Sequence, residues 1–104
     1  MSSRLETLRA FVAQAPENAF ARYGLAMELK QQGESDAALE QFQLLAERHP
    51  DYAAGFQQAG QLLLSLGRTS DARQRLLAGI AAAERTGDAH AAAEMRGLLD
   101  DAAR

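Results

Sequence analysis

The sequence predicts an all-α fold, a stack of antiparallel helical hairpins with about six helices. Two observations carry this prediction. Apolar residues keep the three- and four-residue spacing of amphipathic helices between short turn signals. A skeleton of residues also returns after 34 positions, a period typical of helical-hairpin repeats. Leu29, Gly33, Ser35, Ala38 and Phe42 recur as Leu63, Gly67, Thr69, Ala72 and Leu76.

The first predicted helix begins after Ser3, which with Glu6 matches the pattern of a capping box, and it ends at Pro16. A second apolar pattern starts at Ala19. It ends at Gly33, which we expect to adopt the left-handed conformation that closes many helices.

Ser35 is expected to cap a third helix, which stops before Pro50. The cycle then repeats, with predicted helices over residues 53–66, 70–85 and 89–103. Glu84 stands where the period would place a proline, so the fifth helix is expected to continue to the break at residues 86–88. Asp88 is the expected N-cap of the last helix.

We expect a single domain over residues 1–104, a usual length for one. Pro16 lies one period before Pro50, so the first helix matches the second half of a repeat and the last helix matches a first half. Such half-repeats can cover the ends of an array. The predicted parts are a half-repeat helix at 1–16, repeats at 17–50 and 51–86, and a capping helix at 87–104.

With the period, the glycine turns and the small residues together, the chain resembles a tetratricopeptide repeat protein, most clearly over residues 19–50 and 53–83. The family's hairpin-packing roles fall to Leu25, Ala26, Leu29, Ala38 and Phe42, and then to Phe56, Ala59, Gly60, Leu63, Ala72 and Leu76. Two residues depart from the pattern: Arg22 stands at a position that is often aromatic, and Gly79 at one that is usually alanine. The resemblance implies a right-handed superhelix with the first helix of each hairpin on its concave side.

The candidate ligand contacts lie on the first helix of each hairpin, at positions that do not take part in hairpin packing. They are Phe20, Tyr23, Met27 and Lys30 on the second helix, Gln57, Gln58 and Gln61 on the fourth, and Met95 on the last. Aromatic and thioether groups suit an apolar anchor, and glutamines can pair with a peptide backbone. We expect a peptide or a partner helix to bind there. The alternative is that Phe20, Tyr23 and Met27 simply pack against a neighbouring helix.

One ligand of the family is not expected. Chaperone-binding members hold a carboxy-terminal carboxylate with basic and amide side chains, whereas the matching positions here carry Tyr23, Met27, Gln58, Asp88 and Ala92. Only one amide and no cation is among them, so an acidic chaperone tail would find little to bind.

The composition of the chain excludes several kinds of partner and of site. The net charge is −3 and no run of basic residues is present, so nucleic acid is an improbable partner. The absence of cysteine excludes disulfides and thiolate metal sites. The apolar runs are too short for a membrane span and the amino terminus lacks the pattern of a secretory signal, so a cytoplasmic location is expected.

The sequence carries no constellation that points to catalysis. His90 and Glu94 are one helical turn apart, but two ligands make a weak metal site, and no phosphate-binding glycine loop or nucleophile motif occurs. We therefore predict no enzyme, no cofactor and no metal. The predicted function is that of a protein-interaction adaptor. The alternative is a structural module that uses the same apolar faces to form a homodimer or a larger assembly.

Overall fold

Six helices and no strand make up the part of the chain that the structure describes, residues 3–103 of a computed structural model. They are α1 (Arg4–Gln14), α2 (Ala19–Gln31), α3 (Ser35–Arg48), α4 (Ala53–Ser65), α5 (Thr69–Thr86) and α6 (Ala89–Ala102). The predicted all-α fold of hairpin-forming helices is confirmed. Within these residues no helix has the length and hydropathy needed to cross a bilayer.

Side-chain caps begin three of the helices. In each, an oxygen of the residue before the helix accepts a backbone N–H that has no partner within the helix. The acceptors are Ser3 for α1, Asn18 for α2 and Asp88 for α6, at 3.1, 2.9 and 3.0 Å. The predicted caps at Ser3 and Asp88 are confirmed.

Two helix starts differ from the sequence prediction. Ser35 is already the first residue of α3, and Glu34 at the N-cap makes no side-chain capping bond, so the predicted Ser35 cap is wrong. α5 starts one residue earlier than predicted, at Thr69, and it continues to Thr86 as the missing proline led us to expect.

Glycine in the left-handed region closes the hairpin turns. Gly33 has φ = +80°, and beyond it the N–H of Glu34 donates to the carbonyl of Leu29 at 2.9 Å, which satisfies a carbonyl at the end of α2. A residue with a Cβ would be strained at this φ. The same closure, again at positive φ, ends α4 at Gly67 and α5 at Gly87.

The helices form two compact units, one ending at His49 and the other starting at Pro50. In unit 1, α2 packs against both α1 and α3. In unit 2, α5 packs against α4 and α6, and α4 also contacts α6. The assignment of all 104 residues to one domain stays a prediction.

The residues that were predicted to pack each hairpin are buried. In unit 1 they are Leu25, Ala26, Leu29, Ala38 and Phe42, and in unit 2 they are Phe56, Ala59, Gly60, Leu63, Ala72 and Leu76. Small residues set how closely the helices approach each other. A methyl group added to Gly60 would lie 2.6 Å from Cδ2 of Leu76, so a larger residue on α4 would require this buried side chain of α5 to shift.

Arg22, the first departure from the repeat pattern, is buried with 6% of its surface exposed. Its guanidinium donates to the Gln41 side-chain oxygen at 2.8 Å and to the Pro16 carbonyl at 3.1 Å, while its Nε has no hydrogen-bond partner. Arginine thus links α2 to α3 and to the end of α1, where the carbonyl ends of the helix favour a cation.

Candidate functional site

Four of the predicted ligand contacts lie on one surface of unit 1. Phe20, Tyr23, Met27 and Lys30 project from α2 at intervals of three or four residues, which places them on one side of the helix. Together with Arg4, Gly24, Glu28 and Gln31 they line an open depression of about 580 Å³, which we call the α2 pocket. A depression of this size can accept several side chains of a peptide.

The apolar residues of the α2 pocket differ in how they are held. Phe20 is 76% exposed, so its ring is not packed against a neighbouring helix. Tyr23 is half-buried and meets the buried ring of Phe42 edge to face, with the ring centroids 6.4 Å apart. The alternative, in which these side chains pack against a neighbouring helix, therefore holds in part for Tyr23 and does not hold for Phe20. The pocket combines the aromatic ring of Tyr23 with the adaptable thioether of Met27.

Charged groups of both signs border the α2 pocket. Arg4 of α1 lies 3.5 Å from the carboxylate of Glu28, which is much less exposed than the arginine. Lys30 completes the set, giving two cations and one carboxylate. The sequence prediction missed Arg4, because helical spacing within α2 does not show which residues of α1 lie beside it. It also missed Glu28, although this residue lies on α2 itself, next to Met27.

The predicted glutamines lie on α4, in unit 2. Gln57, Gln58 and Gln61 are all half-buried. The amide of Gln57 donates to the Glu94 carboxylate on α6 at 2.9 Å, so this side chain also links two helices of the unit. As predicted from the sequence, α4 carries no charged residue.

Met95 does not belong to a ligand surface. Its side chain is fully buried in a cluster of unit 2 that includes Leu76, Ile80 and Ala92. The prediction that Met95 faces a ligand is wrong, because helical spacing alone cannot tell which side of the last helix covers α5. The one sign of this burial in the sequence was Gly79 of α5, which leaves room for the Met95 thioether.

Among residues 3–103 no three histidine, cysteine, aspartate or glutamate side chains lie together as a metal site would require. A ring nitrogen of His90 contacts the carboxylate of Glu94 on the surface of α6, where the histidine side chain is 87% exposed. No third carboxylate or histidine of the described chain joins them. A pair of this kind at adjacent turns adds little stability and holds a metal weakly.

Comparison with known proteins places the chain among helical repeat proteins. The TPR repeat-containing protein PA0015 of Pseudomonas aeruginosa is 33% identical over 95 residues, which covers 91% of this chain and 90% of the relative. None of the known protein-family profiles matches the chain.

Two solved structures show the same architecture. A tetratricopeptide repeat domain protein from Salinibacter ruber superposes with a TM-score of 0.78 at 33% identity, covering 84% of this chain and 88% of its own. PcrH, solved in complex with the chaperone binding region of PopD, superposes with a TM-score of 0.88 and covers 95% of this chain and 75% of its own. Its identity of 18% makes this a likeness of fold alone.

Proposed function

Because the chain belongs to the tetratricopeptide repeat family, we propose that it is a protein-interaction module, without catalysis of its own, that binds a segment of another protein. Repeat proteins of this kind offer extended surfaces rather than enclosed pockets. PcrH, which shares the fold, was solved with a segment of a protein partner, and this supports the same class of ligand here.

One observation carries the proposal: four residues that were selected by sequence for ligand contact line one depression on α2. Exposed apolar groups beside polar ones mark interaction sites more often than scattered single residues do. Met27 and Tyr23 would bury apolar side chains of the ligand, and Phe20 would flank them. Large aromatic residues are enriched among the residues that dominate binding energies.

The charged residues around the α2 pocket favour some ligands over others. Two cations and one carboxylate border the α2 pocket, so a ligand with apolar anchors and a nearby carboxylate would gain from Arg4 or Lys30. Residues on adjacent turns of an amphipathic helix, or alternate residues of an extended segment, present anchors at a suitable spacing. We propose a short amphipathic segment of this kind as the ligand.

The glutamines of α4 are a separate candidate contact. Gln58 and Gln61 can donate and accept hydrogen bonds at once, which suits a polar side chain or a peptide backbone. Gln57 donates to Glu94, and a ligand at this position would share or replace that hydrogen bond. We propose Gln58 and Gln61 as contacts, and a cytoplasmic location stays a prediction.

The first test is capture of a partner from a lysate of the host with the wild-type chain and with a Met27→Glu variant. The substitution puts a charge into the α2 pocket, and it lies on a half-buried position, so circular dichroism should show an unchanged fold. We expect the identified partner to bind the wild type and to lose at least tenfold in affinity with the variant, by calorimetry on the purified segment.

A matched control is Leu77→Glu, since Leu77 is an exposed apolar residue of α5 outside the α2 pocket. It should bind like the wild type. A Gln58→Ala, Gln61→Ala variant tests the α4 contacts separately. Equal binding by wild type and Met27→Glu would contradict the α2 pocket as the site.

A further inference from the structure

A second, more apolar groove lies between α1 and α2 of unit 1. It is lined by Arg4, Leu8, Phe11, Asn18, Phe20, Ala21 and Gly24 and has a volume of about 240 Å³. Phe11 is 51% exposed and Phe20 is more so, which is unusual for phenylalanine on a water-facing surface. We call this surface the α1/α2 groove. Leu8 and Phe11 belong to it and not to the α2 pocket.

The repeat itself shows what normally covers such a groove. Residues of α1 match residues of α5 two periods later, so that Leu8 matches Leu76 and Val12 matches Ile80. Val12 and Ile80 are both buried. In unit 2, α4 packs against both α5 and α6 and buries Leu76. In unit 1 no described helix takes the place of α4, so Phe11 stays exposed and Leu8 is only half-buried.

The contacts of α4 define the chemistry of a helix that would fit. In unit 2 the Cβ of Phe56 lies over Gly79, and Gly60 lies over Leu76, in antiparallel order. In unit 1 the large side chain is on the other partner, because Phe11 of α1 stands at the position that Gly79 occupies on α5. The fitting helix therefore needs a small residue opposite Phe11 and another small residue, four positions later, opposite Leu8.

Charge fixes the next position. Arg4 matches Ala72, one turn beyond Leu8, and among the described residues it is the only charged one lining the α1/α2 groove. Its side chain lies beside Glu28 but is 73% exposed, so it can contact a second carboxylate. A carboxylate four positions after the second small residue would lie beside this cation. The fitting helix thus has the pattern small, small, acidic at intervals of four residues.

The chain carries this pattern on α6. Ala93, Gly97 and Asp101 follow one another at intervals of four, and all three are exposed. They form a stripe that we call the α6 stripe. A side chain added at Gly97 would meet no atom within 4 Å, so this glycine is not required by packing within unit 2. Asp100 adds a second carboxylate at the same end of the helix.

We propose that the α6 stripe of one copy docks in the α1/α2 groove of a second copy, with Ala93 against Phe11, Gly97 against Leu8 and Asp101 beside Arg4. The contact joins two different surfaces, so it is heterologous, and it produces either a closed assembly or an open chain of copies. The buried area is that of one helix, which lies at the small end of the range for specific interfaces, so we expect a weak contact.

Complementation of two blocked variants tests the proposal. Phe11→Asp disrupts the groove and leaves the stripe intact, whereas Gly97→Gln blocks the stripe and leaves the groove intact. We expect the weight-average mass of the wild type to rise with concentration in sedimentation equilibrium. Each variant alone should stay monomeric over the same range of concentrations, and their equimolar mixture should form a 1:1 dimer and nothing larger.

Leu77→Asp is the matched control, since Leu77 is as exposed as Phe11 and lies outside both surfaces. It should assemble like the wild type, and so should Met27→Glu, which separates this contact from the α2 pocket. A charge exchange, Arg4→Glu with Asp101→Lys, should restore at least part of the assembly lost in Arg4→Glu alone. A wild type that stays monomeric, or a mixture of the two blocked variants that stays monomeric, would overturn the proposal.

Discussion

Gly79 of α5 and Met95 of α6 share one space in unit 2. A methyl group on Gly79 would lie 2.5 Å from Sδ of Met95 and 2.7 Å from Cβ of Phe56, so the missing side chain is replaced by the thioether of the next helix. The pair explains why glycine stands where the repeat usually has alanine. It also explains how three helices meet in a core that has no aromatic residue besides Phe56.

We predict that Gly79→Ala destabilises the protein. The added methyl group would gain about 1 kcal/mol in helix propensity, but overpacking against Phe56 and Met95 costs about 1–3 kcal/mol. The balance should lower the midpoint of urea unfolding. Gly97→Ala is the control, since its methyl group meets no atom within 4 Å, and it should raise the midpoint. An equal gain from both substitutions would contradict the shared space.

The same pair should show coupling in a double-mutant cycle. Met95→Ala alone should cost about 2–5 kcal/mol, because it opens a cavity in a fully buried site. In that background Gly79→Ala should cost less, since its methyl group then fills part of the cavity. We expect a coupling free energy of about 1 kcal/mol from urea unfolding of the four proteins. Additive effects would mean that the two residues do not compete for space.

Arg22 leads to a third prediction. Arg22→Lys keeps the charge but cannot reach Gln41 and Pro16 together, so it should cost about 1–3 kcal/mol. Arg22→Met keeps the apolar stem and removes the buried charge along with its unpartnered Nε, so it should be the milder change. Thermal unfolding of the two variants gives the order. A lysine variant as stable as the wild type would show that the two hydrogen bonds contribute little.

Asp88→Ala should destabilise α6. The carboxylate caps the helix at 3.0 Å and lies near the positive end of its dipole, and removing such a cap costs about 0.5–2 kcal/mol. Asp36→Ala, in the first turn of α3, removes an acid that makes no capping bond and should cost less than about 0.5 kcal/mol. Urea unfolding of both variants compares the two sites directly.

Deletion of residues 89–104 should lead to aggregation or to loss of a cooperative unfolding transition. Leu76, Ile80 and Ala83 pack in a cluster with Met95 and Ala92, and they would lose that cover. Light scattering and calorimetry of the truncated chain measure the effect. A soluble truncation with a sharp unfolding transition would show that α6 does not cap the array.

Much of the fold could be predicted from the sequence, because its signals are local. Glycine at positive φ closes three helices, and a proline follows the apolar pattern of two others. Both residues act through their own backbone. The start of α3 was misplaced because Ser35 suits an N-cap and a first helical turn almost equally well. The hydrogen bonds of the Arg22 guanidinium depend on which residue of α3 lies opposite it. Local sequence patterns do not show this.

The candidate site was predictable only where one helix supplies it. Phe20, Tyr23, Met27 and Lys30 follow from the spacing along α2. Arg4 could not be placed beside them, since its position depends on the packing of α1. Met95 was misassigned because the uncovered and covered sides of α6 both carry small residues, and only the glycine at position 79 distinguishes them.

The two kinds of turn imply different tolerance to changes in length. The turn after Gly33 is exposed and held only by backbone closure, so a family member could lengthen it without disturbing a side-chain contact. At Pro16 and Pro50 the carbonyl instead accepts a guanidinium, from Arg22 in one case and Arg85 in the other. Natural insertions and deletions should therefore collect at the glycine turns and be rare at the prolines.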